Sequence, residues 1–292
     1  MTQFERGRIF LEDASVLQHE LLPANQYRLR LRAPSIAASA NPGTFTHVRC
    51  DESLPMRRPM SIMRVDARQG WVELLYRKVG RGTDLLSRKT SGEVISLLGP
   101  IGKPFAVSNQ VKKPLLLGGG VGVPPIIFLA DRLRMRAGLS SLLVLAGSER
   151  PFPYSPQPSR ISIPGIPTEV IASMPLLDDW GVPNRLATLQ GIAGCFHGYV
   201  TDLAQIWLHS LQAQQRADVA IFACGPVPML RSVTVLARKY GVPCQVSLEE
   251  YMACAVGGCA GCTVAVDTEA GPAMKRVCVD GPVFDGDRVI WS

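Results

Sequence analysis

The stretch Lys112-Lys-Pro-Leu-Leu-Leu-Gly-Gly-Gly-Val-Gly-Val-Pro-Pro125 divides the chain into two kinds of sequence. A short apolar run, Leu115 to Leu117, passes into Gly118, Gly119, Gly120, Val121 and Gly122, and then into an apolar-periodic segment from Ile126 to Arg136. That order predicts strand, glycine turn and helix, the opening of a nucleotide-binding α/β domain. Glycines at this point let a pyrophosphate approach the helix start, where unpaired N–H groups favour anions. A glycine turn alone also fits a tight βα connection that holds no ligand.

Downstream, Ser141-Leu-Leu-Val-Leu145 and Val219-Ala-Ile-Phe222 continue the alternation, and the second runs into Cys224-Gly225-Pro226 and a helix through Lys239. A ligand of such a sheet sits at these strand ends. Upstream the pattern is different. Tyr27 to Arg32, Thr46 to Cys50, Ser61 to Val65, Trp71 to Tyr76 and Glu93 to Leu97 are short apolar or alternating runs separated by Gly, Pro and Asp turns. Such spacing predicts a small β-barrel.

The C-terminal part carries Cys254-Ala-Val-Gly-Gly-Cys259-Ala-Gly-Cys262 and, further on, Cys278. C-x4-C-x2-C with a distant fourth thiol is the plant-type spacing for a [2Fe-2S] cluster. Gly257, Gly258 and Gly261 allow the loop to wrap tightly and aim N–H groups at sulfur. Zinc is the competing ligand, but structural zinc sites are usually built from two close pairs, and here Cys259 and Cys262 alone form one. Chance clustering of buried thiols is the remaining alternative. Ser247 and Glu250 spell a capping box, predicting a short helix into this loop.

Among 292 residues, 47% are hydrophobic, enough for more than one core. The formal charge of +7 is made of interspersed arginines rather than basic runs, which argues against nucleic acid and fits anionic cofactors, an acidic protein partner or, equally, a merely solvated surface. Cys50, Cys195, Cys224 and Cys244 lack the density of a disulfide framework. The octet Met1 to Arg8 has no signal-like apolar stretch, and the longest uncharged run, Pro114 to Ala130, is broken by glycine and proline. A cytoplasmic protein with no membrane span is the expectation.

Arg57-Arg58-Pro59-Met60-Ser61-Ile62, Gly118 to Pro125, Cys224-Gly225-Pro226 with Met229, and the terminal cysteines follow the order used by the ferredoxin-NADP reductase superfamily. More narrowly, Ser247-Leu-Glu-Glu-Tyr-Met-Ala-Cys254 and Cys278-Val-Asp-Gly-Pro-Val-Phe284 resemble the iron-sulfur flavoprotein subunits of NAD-dependent dihydroorotate dehydrogenases. The resemblance implies a multidomain β plus α/β fold: an antiparallel FAD-binding barrel over 1–110, a Rossmann-like NAD-binding domain over 111–242, and a small [2Fe-2S] domain over 243–292. It assigns Arg58, Pro59, Met60, Ser61, Leu75, Tyr76, Arg77, Gly82 and Thr83 to FAD. It assigns Gly119, Gly120, Val121, Gly122, Cys224, Gly225 and Pro226 to NAD(H) as substrate, and Cys254, Cys259, Cys262 and Cys278 to the cluster. Cys224 would lie near the nicotinamide, with the reaction itself borne by cofactors, and is otherwise an inert buried thiol.

Two departures accompany the resemblance. Met60 stands where an aromatic is common, and the proline-rich stretch from Pro151 to Gly194 fits poorly and reads as a tolerated surface insertion. The implied function is electron transfer between NAD(H) and the FMN of a dihydroorotate dehydrogenase catalytic subunit, in a hetero-oligomer serving pyrimidine biosynthesis. Alternatives are an NAD(P)H reductase for a ferredoxin, sulfur-metabolising or hydrogenase partner, and a redox sensor without turnover. Glu149 favours NADH over NADPH, Arg150 the reverse, and Ala255 and Val256 are candidate partner contacts.

Overall fold

The computed structural model describes residues 9–291. The octet that lacks a signal-like stretch lies outside them. Six strands, β1 (Phe10–Leu22), β2 (Gln26–Arg32), β3 (Phe45–Val48), β4 (Arg58–Asp66), β5 (Trp71–Arg77) and β6 (Val94–Ile101), close into an antiparallel barrel in the order β1-β2-β5-β4-β3-β6. Five correspond to the runs expected from the sequence. The sixth, β1, closes the cylinder: its first half pairs with β6 and its second with β2, around a bulge between Val16 and Gln18. Alternate residues such as Leu29, Leu31, Val72, Leu74, Ile95 and Leu97 point inward and fill the core. Helices α1 (Pro34–Ser39) and α2 (Arg81–Leu86) flank the barrel.

The second domain begins as expected, with β7 (Lys113–Gly119), a turn through Gly120–Gly122 and α3 (Val123–Arg134). It continues through β8 (Leu143–Gly147), the short β9 (Gln157–Pro158) and β10 (Ala172–Ser173), α4 (Pro175–Asp179), β11 (Asn184–Thr188) and β12 (Phe196–His197). Helices α5 (Val200–Ser210) and α6 (Ala213–Arg216), β13 (Val219–Cys224), α7 (Val227–Tyr240) and β14 (Cys244–Ser247) complete it. The hairpin β15 (Thr263–Thr268) and β16 (Gly271–Arg276) follows, then β17 (Val283–Asp285). The main sheet runs β12-β11-β8-β7-β13-β14-β17, parallel except for β17. The C-terminal segment is thereby fastened to the nucleotide sheet through β17, while Phe128 of α3 fills the barrel core.

The Pro151 to Gly194 stretch corrects the insertion reading. Its second half supplies β11, buried throughout and paired parallel with β8. Arg185, 4% exposed, donates to the carbonyls of Val170 (2.6 Å), Asn184 (2.7 Å) and Ile161 (2.6 Å), so a buried cation fully engaged with backbone holds the irregular coil on the sheet. Proline-rich composition concealed this strand, which is only five residues long and follows irregular coil.

Candidate functional site

At the carboxyl ends of β7 and β13 two turns are nested into one crevice. A Cβ on Gly122 would lie 2.5 Å from the Cys224 and Gly225 backbone, and one on Gly119 would collide with the Met229 sulfur. Gly225 in turn lies against the Gly119 backbone. Gly120 has φ +53° and open space where a side chain would go, and it lines a small hollow with Val123, Gly147 and Ser148 at the strand ends. Val121 is exposed beside it and Pro226 opens α7. α3 starts without a side-chain cap; Val123 N–H donates to Gly120 O, and Pro124 and Pro125 carry no N–H, so what the helix start offers a ligand is close approach of backbone rather than a row of free donors.

Cys224, 7% exposed, pairs in register with Gly118 on one side and Ser247 on the other. Burial raises its thiol to about 12, the charge of Glu249 adds to the rise, and a hydrogen bond with the Ser247 side chain opposes it. The group is a neutral thiol that shapes the crevice floor rather than a nucleophile. Ser247 therefore belongs to β14. The capping-box helix does not form, because Leu248 N donates to Pro282 O (2.9 Å) and keeps the chain extended beyond the strand.

Sequence reasoning missed Glu249. Although it is an exposed residue, protein packed around its carboxyl pushes that group above the ordinary carboxylate range; Glu250 adds to the shift and Arg77 opposes it. Its carboxyl thus lies within the electrostatic reach of both Cys224 in the sheet and Arg77 in the barrel. The signal for it was its position two residues beyond Ser247, at the end of a parallel strand.

On the barrel side, Arg58, Pro59, Met60 and Ser61 form the first residues of β4. Arg58 folds one guanidinium nitrogen onto the carbonyls of Met56 (3.0 Å) and Arg57 (3.1 Å). A Cβ on Gly82 would stand 3.2 Å from Arg58 Nε, so glycine keeps a cradle open between β4 and α2. Ser61 is half-buried, whereas Met60 points into the barrel core. Leu75 packs where the barrel meets the sheet, with Val123 and Cys224 in the same core. Tyr76 is committed to packing: its ring stacks on Tyr27 at 5.3 Å and its hydroxyl pairs with His19 Nε2 at 2.9 Å. Thr83 Oγ1 closes the start of α2, accepting from Val79 and Gly80 N–H. The Arg58 guanidinium beside a side-chain-free Gly82 suits this half-buried place to a phosphate-bearing ligand in charge.

The four thiols come from one loop and a strand end. Cys262 and Cys278 sulfurs are 3.3 Å apart and buried, Cys259 is exposed, and Cys254 accepts from Cys259 N–H at 3.4 Å. Gly261 N–H donates to Cys259 sulfur at 3.5 Å. Burial alone raises the Cys254 thiol, but hydrogen bonds from the Cys259, Val256 and Gly258 backbone and the Cys259 side chain together bring it down to about 7. Burial, with Cys262 beside it, lifts Cys278 to about 12, against a hydrogen bond from the Gly257 backbone. The loop bends through positive φ at Ala255, Gly257 and Ala260, and Arg276 Nη1 braces it from below by donating to Gly257 O at 3.0 Å. Amides aimed at sulfur, and thiols linked Cys259 to Cys254 to Cys278 to Cys262, suit a thiolate-held iron–sulfur group. Ala255 is 1% exposed and cannot serve as an outer contact; Val256 at 51% and Tyr251 at 93% present the surface instead.

A barrel with a cationic cradle, joined to a sheet whose paired turns make a nucleotide crevice and then to a four-thiol loop, defines an iron–sulfur member of the ferredoxin reductase-like class. Residues 249–290 match the iron-sulfur cluster binding domain of dihydroorotate dehydrogenase B. The electron transfer subunit of dihydroorotate dehydrogenase B (NAD(+)) from Desulforamulus reducens is 32% identical over 96% of this chain and 98% of its own length, and that from a Geobacillus species (strain WCH70) is 32% identical over the same shares. The chain belongs to this family of electron transfer subunits. Among solved structures, an NADH-dependent reduced ferredoxin-NADP oxidoreductase described for flavin-based electron bifurcation is 26% identical, covers 96% of this chain and 90% of its own, and superposes with a TM-score of 0.77. Phthalate dioxygenase reductase, 14% identical with a TM-score of 0.57 over 94% of this chain and 78% of its own, shares the fold.

Proposed function

We propose that this chain is the electron-transfer subunit of an NAD-linked dihydroorotate dehydrogenase, carrying electrons between NAD(H) and the FMN of a catalytic partner during oxidation of dihydroorotate to orotate. The observation that carries the reading is end-to-end similarity to that family, down to the four-thiol loop. FAD would exchange a hydride with the nicotinamide and single electrons with the [2Fe-2S] cluster. Residues 1–110 supply the flavin cradle through Arg58 and Ser61, residues 111–242 the dinucleotide crevice, and residues 243–292 the cluster thiolates of Cys254, Cys259, Cys262 and Cys278. The crevice and the cradle meet where Leu75 packs with Val123 and Cys224, so the chain's part in hydride transfer is to hold two rings in register and exclude water. No acid or base need act for that step. Among the described residues no helix is long and apolar enough to cross a membrane, and a cytoplasmic setting accords with pyrimidine biosynthesis.

The test is reconstitution. Anaerobically purified protein with FAD and cluster should reduce artificial dyes with NADH, leave dihydroorotate untouched alone, and support NAD-linked orotate formation once an FMN-containing catalytic subunit is added. Oxidation of dihydroorotate by the isolated chain would sink the subunit reading. A ferredoxin-type partner is the second reading, favoured by the 26% identical bifurcating reductase; capture of partners from native extract separates the two.

A further inference from the structure

His47 lies in β3 and is 1% exposed; neither ring nitrogen closes a hydrogen bond of good geometry, and the polar groups it faces are the backbone of Met252 and Arg57, near enough to act on it weakly. Buried polar groups are rarely left this way, and the imidazole plays no part in the sites described above. Its surroundings give it a place in the molecule. β3 is the strand beside the flavin cradle, with Phe45 opposite Ser61, His47 opposite Pro59 and Val48 opposite Arg58. Val48 points into the barrel core, so by strand alternation Phe45 and His47 face outward. On that outer side, Phe45 shares a core with Met252, Ala255, Cys262 and Cys278, and the His47 ring faces the backbone of Met252, two residues before Cys254. Arg57 ties the same place together, donating to His47 O at 3.2 Å, Ser96 O at 2.8 Å and Ser96 Oγ at 2.8 Å. β3 is therefore a wall one strand thick, with the flavin cradle on the neighbouring strand and the cluster loop against its outer face.

We propose that His47 is a positioning residue for electron transfer between the flavin and the cluster, wedged between β3 and the Met252 turn so that the cluster loop keeps a fixed, dry seat on the barrel. The groups facing the ring fit a role as an uncharged spacer. Burial is the largest influence on it, the Arg57 and Arg58 guanidiniums act in the same direction, and the Met252 and Arg57 backbone opposes them, leaving it with a pKa of about 4. The ring is therefore uncharged at neutral pH.

The inference rests on the function proposed above, and full-length protein loaded with FAD and cluster tests both separately. After rapid mixing with NADH, flavin bleaching and cluster reduction are followed at their own wavelengths in the wild type, His47→Leu and His47→Gln. Flavin bleaching is expected to stay within about twofold in all three. Cluster reduction should slow about tenfold in His47→Leu, with a changed cluster EPR line shape, and recover to within about threefold in His47→Gln, whose amide restores a polar group of similar reach. An unchanged cluster rate and EPR spectrum in His47→Leu, or equal slowing of both steps, overturns the proposal. Wild-type protein that binds no flavin or never reduces a cluster overturns the functional reading first. A second readout needs no cluster: in Cys259→Ser protein, adding His47→Leu should accelerate amide exchange from Met252 to Val256, and equal exchange in the two counts against the wedge.

Discussion

In the nucleotide crevice the working surface is backbone, whereas in the cluster loop it is side-chain sulfur. Gly119, Gly122 and Gly225 matter because nothing larger fits where two turns press together. Cys254, Cys259, Cys262 and Cys278 matter because only thiolates bond iron in this way. The glycines can therefore be replaced only at the expense of shape, and the cysteines only at the expense of a ligand. The two regions should fail differently and independently, since they lie on separate elements of the chain.

The largest effect expected is at the exposed ligand. Cys259→Ser should abolish iron and acid-labile sulfide, measured chemically and by absorption, while flavin content stays at the wild-type level because Arg58 and Ser61 lie in the barrel. Loss of flavin with iron retained would contradict the separation of the sites. In the crevice, Gly122→Ala forces a Cβ to 2.5 Å from backbone and should destabilise the fold by about 1–3 kcal/mol and abolish saturable NADH binding. Gly120→Ala meets no neighbour and carries only left-handed strain, about 1–2 kcal/mol, so NADH titration should still saturate. Similar NADH affinities in the two alanine variants would show that the nesting of the turns is unimportant.

This contrast also explains what the sequence made legible. The cluster loop was specific because three of its four ligands lie within nine residues and all are of a rare residue type. The barrel was legible in five of six strands; β1 escaped because only Ala14 and Val16 are buried and a bulge breaks its alternation. β11 was hidden by prolines, and Glu249 because its environment is made by Arg77 and Cys224, distant in sequence. Ala255 was misjudged as a contact because the left-handed turn at that residue, which buries its methyl, leaves no mark in composition. Tertiary surroundings, rather than propensity, determined each of these.

The crevice thiol offers a sharper probe. With Cys224 raised to about 12, its neutral form is the native one. Stability linked to it is complete below the ordinary thiol pKa and lost only as pH rises from there toward 12. Iodoacetamide should therefore leave Cys224 unmodified at pH 8 in protein freed of its cluster, where Cys254, with a thiol near 7, is labelled; mass spectrometry reads both. Prompt labelling of Cys224 at that pH would mean the crevice floor is open to water. Cys224→Ala should slow flavin reduction by NADH by about tenfold through loss of ring positioning, with cluster content unchanged.

A smaller effect is expected beneath the cluster loop. Arg276→Met removes the donor to Gly257 O and leaves every thiol in place, so about 1 kcal/mol of loop stability should be lost. The cluster should assemble normally and then bleach faster in a chelator challenge than in the wild type. An unchanged bleaching rate would assign loop rigidity to its positive-φ turns alone.

The smallest effect concerns which dinucleotide the crevice prefers. Ser148 and Glu149 follow β8, and their backbone is fixed at both ends: Ser148 N–H donates to Ala187 O at 3.1 Å, and Gln190 Nε2 to Glu149 O at 2.7 Å. That fixation makes the Glu149 carboxylate a defined charge at the strand end where a dinucleotide ribose is expected. It can accept from an unmodified ribose and repels a 2′-phosphate. Glu149 is exposed, so the repulsion acts in a water-like medium and amounts to about 1 kcal/mol at contact distance, or roughly five- to tenfold in selectivity. NADH should be preferred, and Glu149→Gln should shrink the ratio of catalytic efficiencies by that factor while raising the salt dependence seen with NADPH, because Arg150 then acts unopposed. Gln190→Leu offers the structural counterpart: it frees the Glu149 carbonyl without touching the charge, and should weaken both dinucleotides alike. If Glu149→Gln leaves the ratio unchanged and Arg150→Ala alters it, Arg150 governs the pocket and the charge at Glu149 belongs to the surface.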